Sequence, residues 1–246
     1  MSTGCCPIGS EPALAADYTP KGNEENVDGL TCYVTGSGDK AIVVYYDVFG
    51  FNGGRIRLIC DQLAEAGFFV VLPDIYHGDA WVAGKPMDGL MEWLKHFPWE
   101  TMIKDDTAKV LNFMESKSVK YIGCLGFCAG AWEVFHLCQN EKIKCGASMH
   151  PSVHIGQVFG DNVEELAESV ISPQLLYPAG ADSDFYKTGG RVNEILKRKF
   201  GDGFVFKEFS EMNHGWVTRG DLSKPAVARD VKLAMEGGVE FFKKHL

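Results

Sequence analysis

The sequence predicts an α/β protein with a mostly parallel central sheet and helices on both faces. Short runs of β-branched and aromatic residues alternate with longer segments of helical periodicity, as in repeated strand–helix–strand units. The run FFVVLPD at 68–74 is apolar at nearly every position, which is typical of a strand covered on both faces. With 246 residues, of which 46% are hydrophobic, the chain is large enough for one extensive core of this class.

The strands and helices are expected in alternation from residue 30 onward. The segment 41–46 (AIVVYY) is β-branched and aromatic, hence a strand, whereas 53–67 carries apolar residues at helical spacing and ends at Gly67. By the same criteria, strands are predicted at 30–36, 41–46, 68–74, 119–127, 145–151, 173–180 and 204–209, and helices at 53–67, 100–117, 129–140, 189–200 and 225–246.

The domain organisation is expected to be simple. Residues 1–29 are rich in Gly, Pro, Asn and acidic residues and predict an irregular N-terminal extension, in which Cys5 and Cys6 are interpreted as two thiols of a loose tail. Residues 30–246 are expected to form a single domain, with an aromatic-rich insertion around 75–99 that is broken by Gly and Pro.

Composition disfavours several classes of partner. The 24 basic and 33 acidic residues give a net charge of −9 without a basic cluster, which argues against binding nucleic acid or an anionic membrane. No apolar run approaches the roughly 18 residues that span a bilayer, and the N-terminus lacks the features of a secretory signal. We therefore expect a cytoplasmic monomer or homodimer whose eight cysteines are reduced.

A candidate nucleophile lies in GFCAG at 126–130, between a predicted strand and a predicted helix. This G-x-C-x-G pattern has the strand–turn–helix context of a nucleophile elbow, with cysteine in place of serine. At a helix N-terminus the dipole favours a thiolate, so the pKa of Cys128 is expected to be lowered, and the N–H of Ala129 is expected to face a developing oxyanion. The alternative is that Cys128 is a small buried core residue.

A candidate acid and base follow in the chain order of such hydrolases. Asp182 or Asp184 lies just past the strand at 173–180, and His214 lies just past the strand at 204–209. The carboxyl ends of strands are where open α/β sheets build their sites, and an Asp that fixes one imidazole tautomer permits base catalysis. Upstream, Val48 follows the strand at 41–46 and is the positional candidate for a second oxyanion-hole N–H.

These motifs resemble the dienelactone hydrolase family, a branch of the α/β-hydrolases with a cysteine nucleophile. The matching segments are DVFGF (47–51), AGFFVVLPD (66–74), GFCAG (126–130), AGAD (179–182) and NHGWVTR (213–219). The resemblance implies a triad of Cys128, His214 and Asp182, an oxyanion hole from Val48 and Ala129, and an acid at Asp47 that helps to deprotonate the thiol. It also implies small lactone or ester substrates and no metal or other cofactor.

The chain departs from the bacterial family pattern around its expected substrate pocket. Asp47 replaces a glutamate, and IYHGD follows Asp74 where bacterial members have an arginine for the substrate carboxylate; Arg219 matches a later family arginine. Candidate substrate-binding residues are Tyr76, Trp81, His150 and Arg219. Neutral lactones or aryl esters are therefore expected to be better substrates than carboxylated ones.

Two other classes of function remain open. One is a catalytically silent hydrolase fold that binds or regulates. The other is a thiol redox sensor that uses Cys128 near Cys124. A metal site at Cys145, His150 and His154 is disfavoured, because Pro151 interrupts the helix that the spacing of the histidines would need.

Overall fold

Eight strands form one sheet in the computed structural model, which describes residues 5–15 and 17–246. The strand order is β1-β2-β4-β3-β5-β6-β7-β8. The strands are β1 (Asn23–Val27), β2 (Leu30–Thr35), β3 (Lys40–Tyr45), β4 (Phe69–Pro73), β5 (Tyr121–Phe127), β6 (Ile143–Met149), β7 (Gln174–Tyr177) and β8 (Phe204–Phe206).

The sheet is antiparallel at one edge and parallel elsewhere. β2 pairs antiparallel with β1 and β4, and every other neighbouring pair is parallel. The carboxyl ends of β3, β5, β6, β7 and β8 therefore meet at one edge, where the loops that follow them can converge on a site.

The helices are α1 (Ile56–Glu65), α2 (Leu90–Leu94), α3 (Lys104–Ser116), α4 (Gly130–Leu137), α5 (Val163–Ser169), α6 (Arg191–Phe200), α7 (Trp216–Arg219) and α8 (Pro225–His245). A π-helical turn at Trp99–Ile103 precedes α3. None of the described helices combines the length and the apolar character needed to cross a membrane. The predicted α/β-hydrolase fold class, with a mostly parallel sheet, is confirmed.

The N-terminal region differs from the irregular extension that its composition predicts. β1 lies within it and pairs with β2 through a tight hairpin at Asp28 and Gly29. Both turn residues have positive φ, 52° and 84°, as the favoured two-residue hairpin turns require. The Asp28-Gly29 pair thus indicates a hairpin, and therefore a strand before it, although the polar composition of 23–27 does not predict one.

The aromatic insertion packs as a cluster onto the end of β3. The rings of Tyr76 and Trp93 lie 4.8 Å apart, those of Trp81 and Trp93 lie 5.6 Å apart, and Phe97 contacts the same group. The backbone N–H of Trp81 donates to the carbonyl of Val48 at 2.9 Å. This bond holds the insertion beside the loop that carries the predicted oxyanion-hole residue.

Candidate active site

Cys128 occupies a strained turn between β5 and α4. Its φ is 55°, in the left-handed region that non-glycine residues rarely adopt. A Cβ added to Gly126 would lie 2.2 Å from the carbonyl oxygen of Gly130, and one added to Gly130 would lie 2.5 Å from that of Tyr45. Both glycines are therefore required by close backbone packing, and the turn has the geometry of a nucleophile elbow.

His214 is paired with Asp182 in the interior. Nδ1 of His214 lies 2.6 Å from Oδ1 of Asp182, and the other carboxylate oxygen accepts the N–H of Ala179 at 2.7 Å. Asp184 instead has an almost fully exposed side chain and pairs with Lys187 at 3.2 Å. Of the two predicted acids, Asp182 is the one brought to the imidazole.

The imidazole of His214 is held in its charged form. Burial by itself lowers the pKa of His214, but the negative charges of a Cys128 thiolate and of Asp182 outweigh it and raise that pKa to about 10. Nε2 of His214 is buried and has no hydrogen-bond partner among the described residues. This nitrogen is free to exchange a proton with a reacting group.

The pKa of Cys128 differs from the sequence-based expectation. Burial raises the pKa of this thiol, although the helix N-terminus predicted a lowered one. The neighbouring Cys6 is partly exposed, and S–H donation from Cys128 and Cys5 lowers its pKa to about 4. The three sulfur atoms therefore form one coupled cluster, in which a negative charge on Cys6 raises the pKa of its two neighbours.

Two backbone N–H groups are available beside the thiol. The N–H of Gly130 donates to the carbonyl of Tyr46 at 3.2 Å, which joins the loop after β3 to the start of α4. The N–H groups of Val48 and Ala129 make no hydrogen bond to the described part of the chain. Both N–H groups therefore remain available, and their role as an oxyanion hole stays a prediction.

Asp47 and Arg219 form a buried ion pair. The Asp47 carboxylate also accepts the hydroxyl of Thr218 at 2.8 Å and the N–H of Phe49 at 2.9 Å. No hydrogen bond joins Asp47 to Cys128 within the described residues, so the acid predicted to activate the thiol is occupied by Arg219. Nη2 of Arg219 has no described partner.

The remaining predicted substrate-binding residues, Tyr76, Trp81 and His150, have buried side chains. The hydroxyl of Tyr76 and Nε1 of Trp81 have no described hydrogen-bond partner. The ring of His150 lies 5.2 Å from that of His214, and burial lowers the pKa of His150 well below its usual range. His150 is thus a neutral ring beside the proposed base.

The prediction that Cys5 and Cys6 belong to a loose tail is wrong. Residues 5–15, here called the N-terminal strap, cover the elbow, and the side chain of Cys5 is fully buried. Sγ of Cys5 lies 3.2 Å from Sγ of Cys128, and Sγ of Cys6 lies 4.0 Å from it. The sequence analysis identified Cys5 and Cys6, but local composition does not predict their contact with Cys128, which is more than 120 positions away.

Sequence reasoning also missed Ser152 and Glu133. Ser152 Oγ donates to the carbonyl of Cys5 at 2.6 Å and lies 3.9 Å from Sγ of Cys128. Burial raises the pKa of Glu133, in α4, to about 8. A single serine after β6 and an acid within an apolar helix gave no pattern that pointed to the site.

A cleft of about 1030 Å³ opens beside the His214–Asp182 pair. Its lining includes Ser152, Asp182 and His214, together with Pro7 of the strap, but not Cys128. The strap therefore separates the cleft from the thiol. Within the described ranges, Cys5, Cys6 and Cys128 are the one group that brings three possible metal ligands together, and the disfavoured Cys145, His150 and His154 set is not such a group.

Comparison with known proteins now places this site in a family. The model of the dienelactone hydrolase family matches residues 27–246, which covers strands β2 to β8, the elbow and the acid–base pair. The chain belongs to the dienelactone hydrolase family. It is accordingly a hydrolase of carboxylic ester or lactone bonds, as the resemblance of its motifs implied.

Individual relatives of this family member are distant but cover most of its length. It is 29% identical over 262 residues to the hydrolase tropI of Talaromyces stipitatus, covering 100% of this chain and 97% of that protein. It is 26% identical to a carboxymethylenebutenolidase homologue of Xenopus tropicalis, covering 89% and 88%. A crystal structure of a putative dienelactone hydrolase from Klebsiella pneumoniae shares the fold, with a TM-score of 0.67, 16% identity and coverage of 92% and 99%.

Proposed function

We propose that this family member hydrolyses small lactones or esters through a thioester on Cys128. The observation that carries the proposal is the convergence of three features at the carboxyl edge of the sheet. These are a sulfur on a strained elbow, a buried His214–Asp182 pair and two unpartnered N–H groups at Val48 and Ala129. Together they supply a nucleophile, an oriented base and an oxyanion site.

Acylation begins when the Cys128 thiolate attacks the substrate carbonyl. The new C–S bond places negative charge on the carbonyl oxygen, which the N–H groups of Val48 and Ala129 stabilise. When the tetrahedral intermediate collapses, the C–O bond breaks and the leaving alkoxide takes a proton from His214. The product is a thioester on Cys128 and, for a lactone, a hydroxyl that is still tethered to the acyl group.

Deacylation uses the imidazole in the opposite sense. His214, neutral after proton transfer, removes a proton from a water molecule that attacks the thioester carbonyl. Asp182 accepts the Nδ1–H of His214, so that Nε2 is the nitrogen that takes this proton. Collapse of the second intermediate breaks the C–S bond and returns the Cys128 thiolate.

The role of Asp47 depends on its ion pair with Arg219. The carboxylate can act as a base toward the thiol only after it leaves Arg219, since that pair and Thr218 occupy Oδ2. While the pair persists, Asp47 also neutralises Arg219 in the interior. We therefore infer that the pocket, with Tyr76, Trp81 and His150 as candidate contacts, favours neutral substrates over carboxylates.

An activity screen with mass spectrometry tests the proposal. Small lactones and aryl esters are offered to the wild-type protein, and intact mass is followed for an acyl adduct. The expected result is turnover with an adduct on Cys128, absent in Cys128→Ala and retained in the matched control Cys124→Ala, which removes a buried thiol of β5. If the protein is folded but no activated ester acylates it, the result would instead indicate a catalytically silent binding protein.

A further inference from the structure

We propose that Cys5 and Cys128 are a modification site, at which a peroxide converts the two thiols into a reversible disulfide. The inference deepens the proposed function, because it assigns a mode of regulation to the same nucleophile. Only its consequence for catalysis rests on that function, since the disulfide itself is a property of two sulfur atoms.

The two sulfur atoms are in contact across the fold. They lie 3.2 Å apart, although 123 positions separate the residues in sequence, and both side chains are fully buried. A disulfide needs a separation of about 2.05 Å, so formation of the bond requires an approach of only about 1 Å. Sγ of Cys6 is further from Cys128, at 4.0 Å.

Hydrogen bonds at Cys5 and at later residues of the strap hold it in place. Ser152 donates to the carbonyl of Cys5, and the N–H of Glu11 donates to the carbonyl of His214 at 2.8 Å. Further along, Nε of Arg219 donates to the carbonyl of Glu11, and the N–H of Gly54 donates to that of Leu14. These bonds tie the strap to the catalytic histidine and to the ion-paired arginine, so its position is specified by the site.

The strap must move for the proposed hydrolysis, because Cys128 is fully buried beneath it. The same movement admits a peroxide to the thiol. When the strap returns, Cys5 is the residue placed against the oxidised sulfur. With the strap over the elbow, the contact between Cys5 and Cys128 therefore covers the nucleophile and also places a second thiol where a disulfide can form.

The reaction balances with one peroxide per disulfide. The Cys128 thiolate attacks a peroxide oxygen, so that an S–O bond forms, the O–O bond breaks and a sulfenic acid results. The other oxygen departs as hydroxide, which takes up the proton that Cys128 released and leaves as water. The sulfur of Cys5 then attacks that of Cys128; the S–S bond forms, the S–O bond breaks, and the departing hydroxide leaves as water with the Cys5 proton. The two thiols lose two electrons in total, and the peroxide gains them.

The sequence suggested Cys124 as the second thiol of a redox sensor at Cys128, but the structure places a different cysteine against Cys128. Sγ of Cys124 lies 3.4 Å from Sγ of Cys138, in the layer between β5 and α4. Cys124 is therefore engaged away from the elbow, and the strap supplies the thiol that meets Cys128. Because Cys124 and Cys138 could also form a disulfide under peroxide, an experiment has to distinguish that bond from one between Cys5 and Cys128.

Peptide mapping makes that separation. Trypsin releases residues 1–21, with Cys5 and Cys6, and residues 121–142, which contain Cys124, Cys128 and Cys138. After peroxide treatment with a chelator present, the wild type should lose about 2 Da and link these two peptides. A Cys124–Cys138 bond lies within one peptide and produces no link. The link should persist in Cys6→Ser and be lost in Cys5→Ser and Cys128→Ser.

The fate of Cys128 gives an independent readout. In oxidised wild type, dithiothreitol should restore both the thiol mass and ester hydrolysis. In Cys5→Ser, the nearest remaining thiol is that of Cys6, whose Sγ lies 4.0 Å from Sγ of Cys128. If Cys5 is the resolving thiol, Cys6 does not replace it, and Cys128 should gain about 32 Da as a sulfinic acid that dithiothreitol does not reverse. A link that survives in Cys5→Ser, or a wild type that forms no link, overturns the proposal.

The mapping also separates this proposal from the proposed function. If the link forms in a protein that hydrolyses no ester in its reduced state, the hydrolase mechanism fails and the disulfide stands. If ester turnover is found but peroxide produces no link, the disulfide fails and the mechanism stands.

Discussion

The imidazole of His214 and the carboxylate of Asp182 lie 2.6 Å apart, Nδ1 to Oδ1, and both side chains are fully or almost fully buried. The pair fixes the ring so that Nε2 is the nitrogen left for proton transfer. Because β7 and β8 are parallel neighbours, the loops that follow them carry the acid and the base to the same edge as the elbow. The imidazole is thus paired with Asp182, the acid that the family resemblance implied, whereas Asp184 pairs with Lys187.

We expect Asp182→Asn to reduce ester turnover by up to roughly 10⁴-fold, because an amide no longer fixes the required imidazole tautomer. Asp184→Asn is the matched control, two positions further along the same loop and exposed, and it should stay within about twofold of the wild type. Steady-state hydrolysis of an aryl ester by both variants measures the ranking. The reverse ranking would assign the acid to Asp184.

Cys128→Ala should abolish hydrolysis of p-nitrophenyl acetate while the protein remains folded. Alanine is smaller than cysteine and adopts the positive φ of 55° at a similar cost, so the elbow is preserved. Cys128→Ser should retain only a trace, since a hydroxyl needs a stronger base than this site supplies. Circular dichroism verifies folding, and wild-type turnover in Cys128→Ala would exclude the thiol mechanism.

Acylation of Cys128 should accelerate as the pH rises above neutrality. The thiolate is the attacking form, and burial raises the pKa of Cys128, so the reactive fraction is small at pH 7 and grows with pH. His214, with a pKa of about 10, stays protonated over most of that range and can still supply the leaving group with a proton. Single-turnover acylation, followed by intact mass across pH, measures the profile.

Cys6→Ser should shift that profile to lower pH. Cys6, whose pKa is about 4, is a thiolate at neutral pH and places a like charge near Cys128, which raises the pKa of Cys128. A neutral hydroxyl removes the charge and so favours the Cys128 thiolate. Cys60→Ser serves as a comparison, because it replaces a buried thiol outside this cluster. An unchanged profile in Cys6→Ser would place the cluster's negative charge on another thiol.

Neutral lactones should be processed with a higher kcat/KM than matched carboxylated ones, because Asp47 neutralises Arg219. Asp47→Asn should narrow this preference by releasing the positive charge, with Arg219→Ala as the opposing variant. Breaking a buried ion pair costs roughly 3–5 kcal/mol, so thermal unfolding must be measured alongside. A wild-type preference for the carboxylated lactone that disappears in Arg219→Ala would show that Arg219 binds the anion despite its pairing.

The sequence by itself determined the fold class and most of the elements, because their signals are local. Helical periodicity in 53–67 predicted α1 to within a few residues of its ends, and the apolar run at 68–74 predicted β4. The elbow was equally readable: a glycine two positions on either side of Cys128 reflects backbone crowding that no other residue tolerates. β1 escaped because its polar residues have no apolar alternation, although Asp28-Gly29 marked the turn.

Only the tertiary structure decided how the site is arranged. The contact of Cys5 with Cys128 and the ion pair of Asp47 with Arg219 both join residues that are distant in sequence. Burial then reversed the expected pKa shift of Cys128, because desolvation beneath the strap outweighs the favourable helix N-terminus. Periodicity and motif spacing describe the neighbours of a residue along the chain, whereas reactivity depends on its neighbours in space.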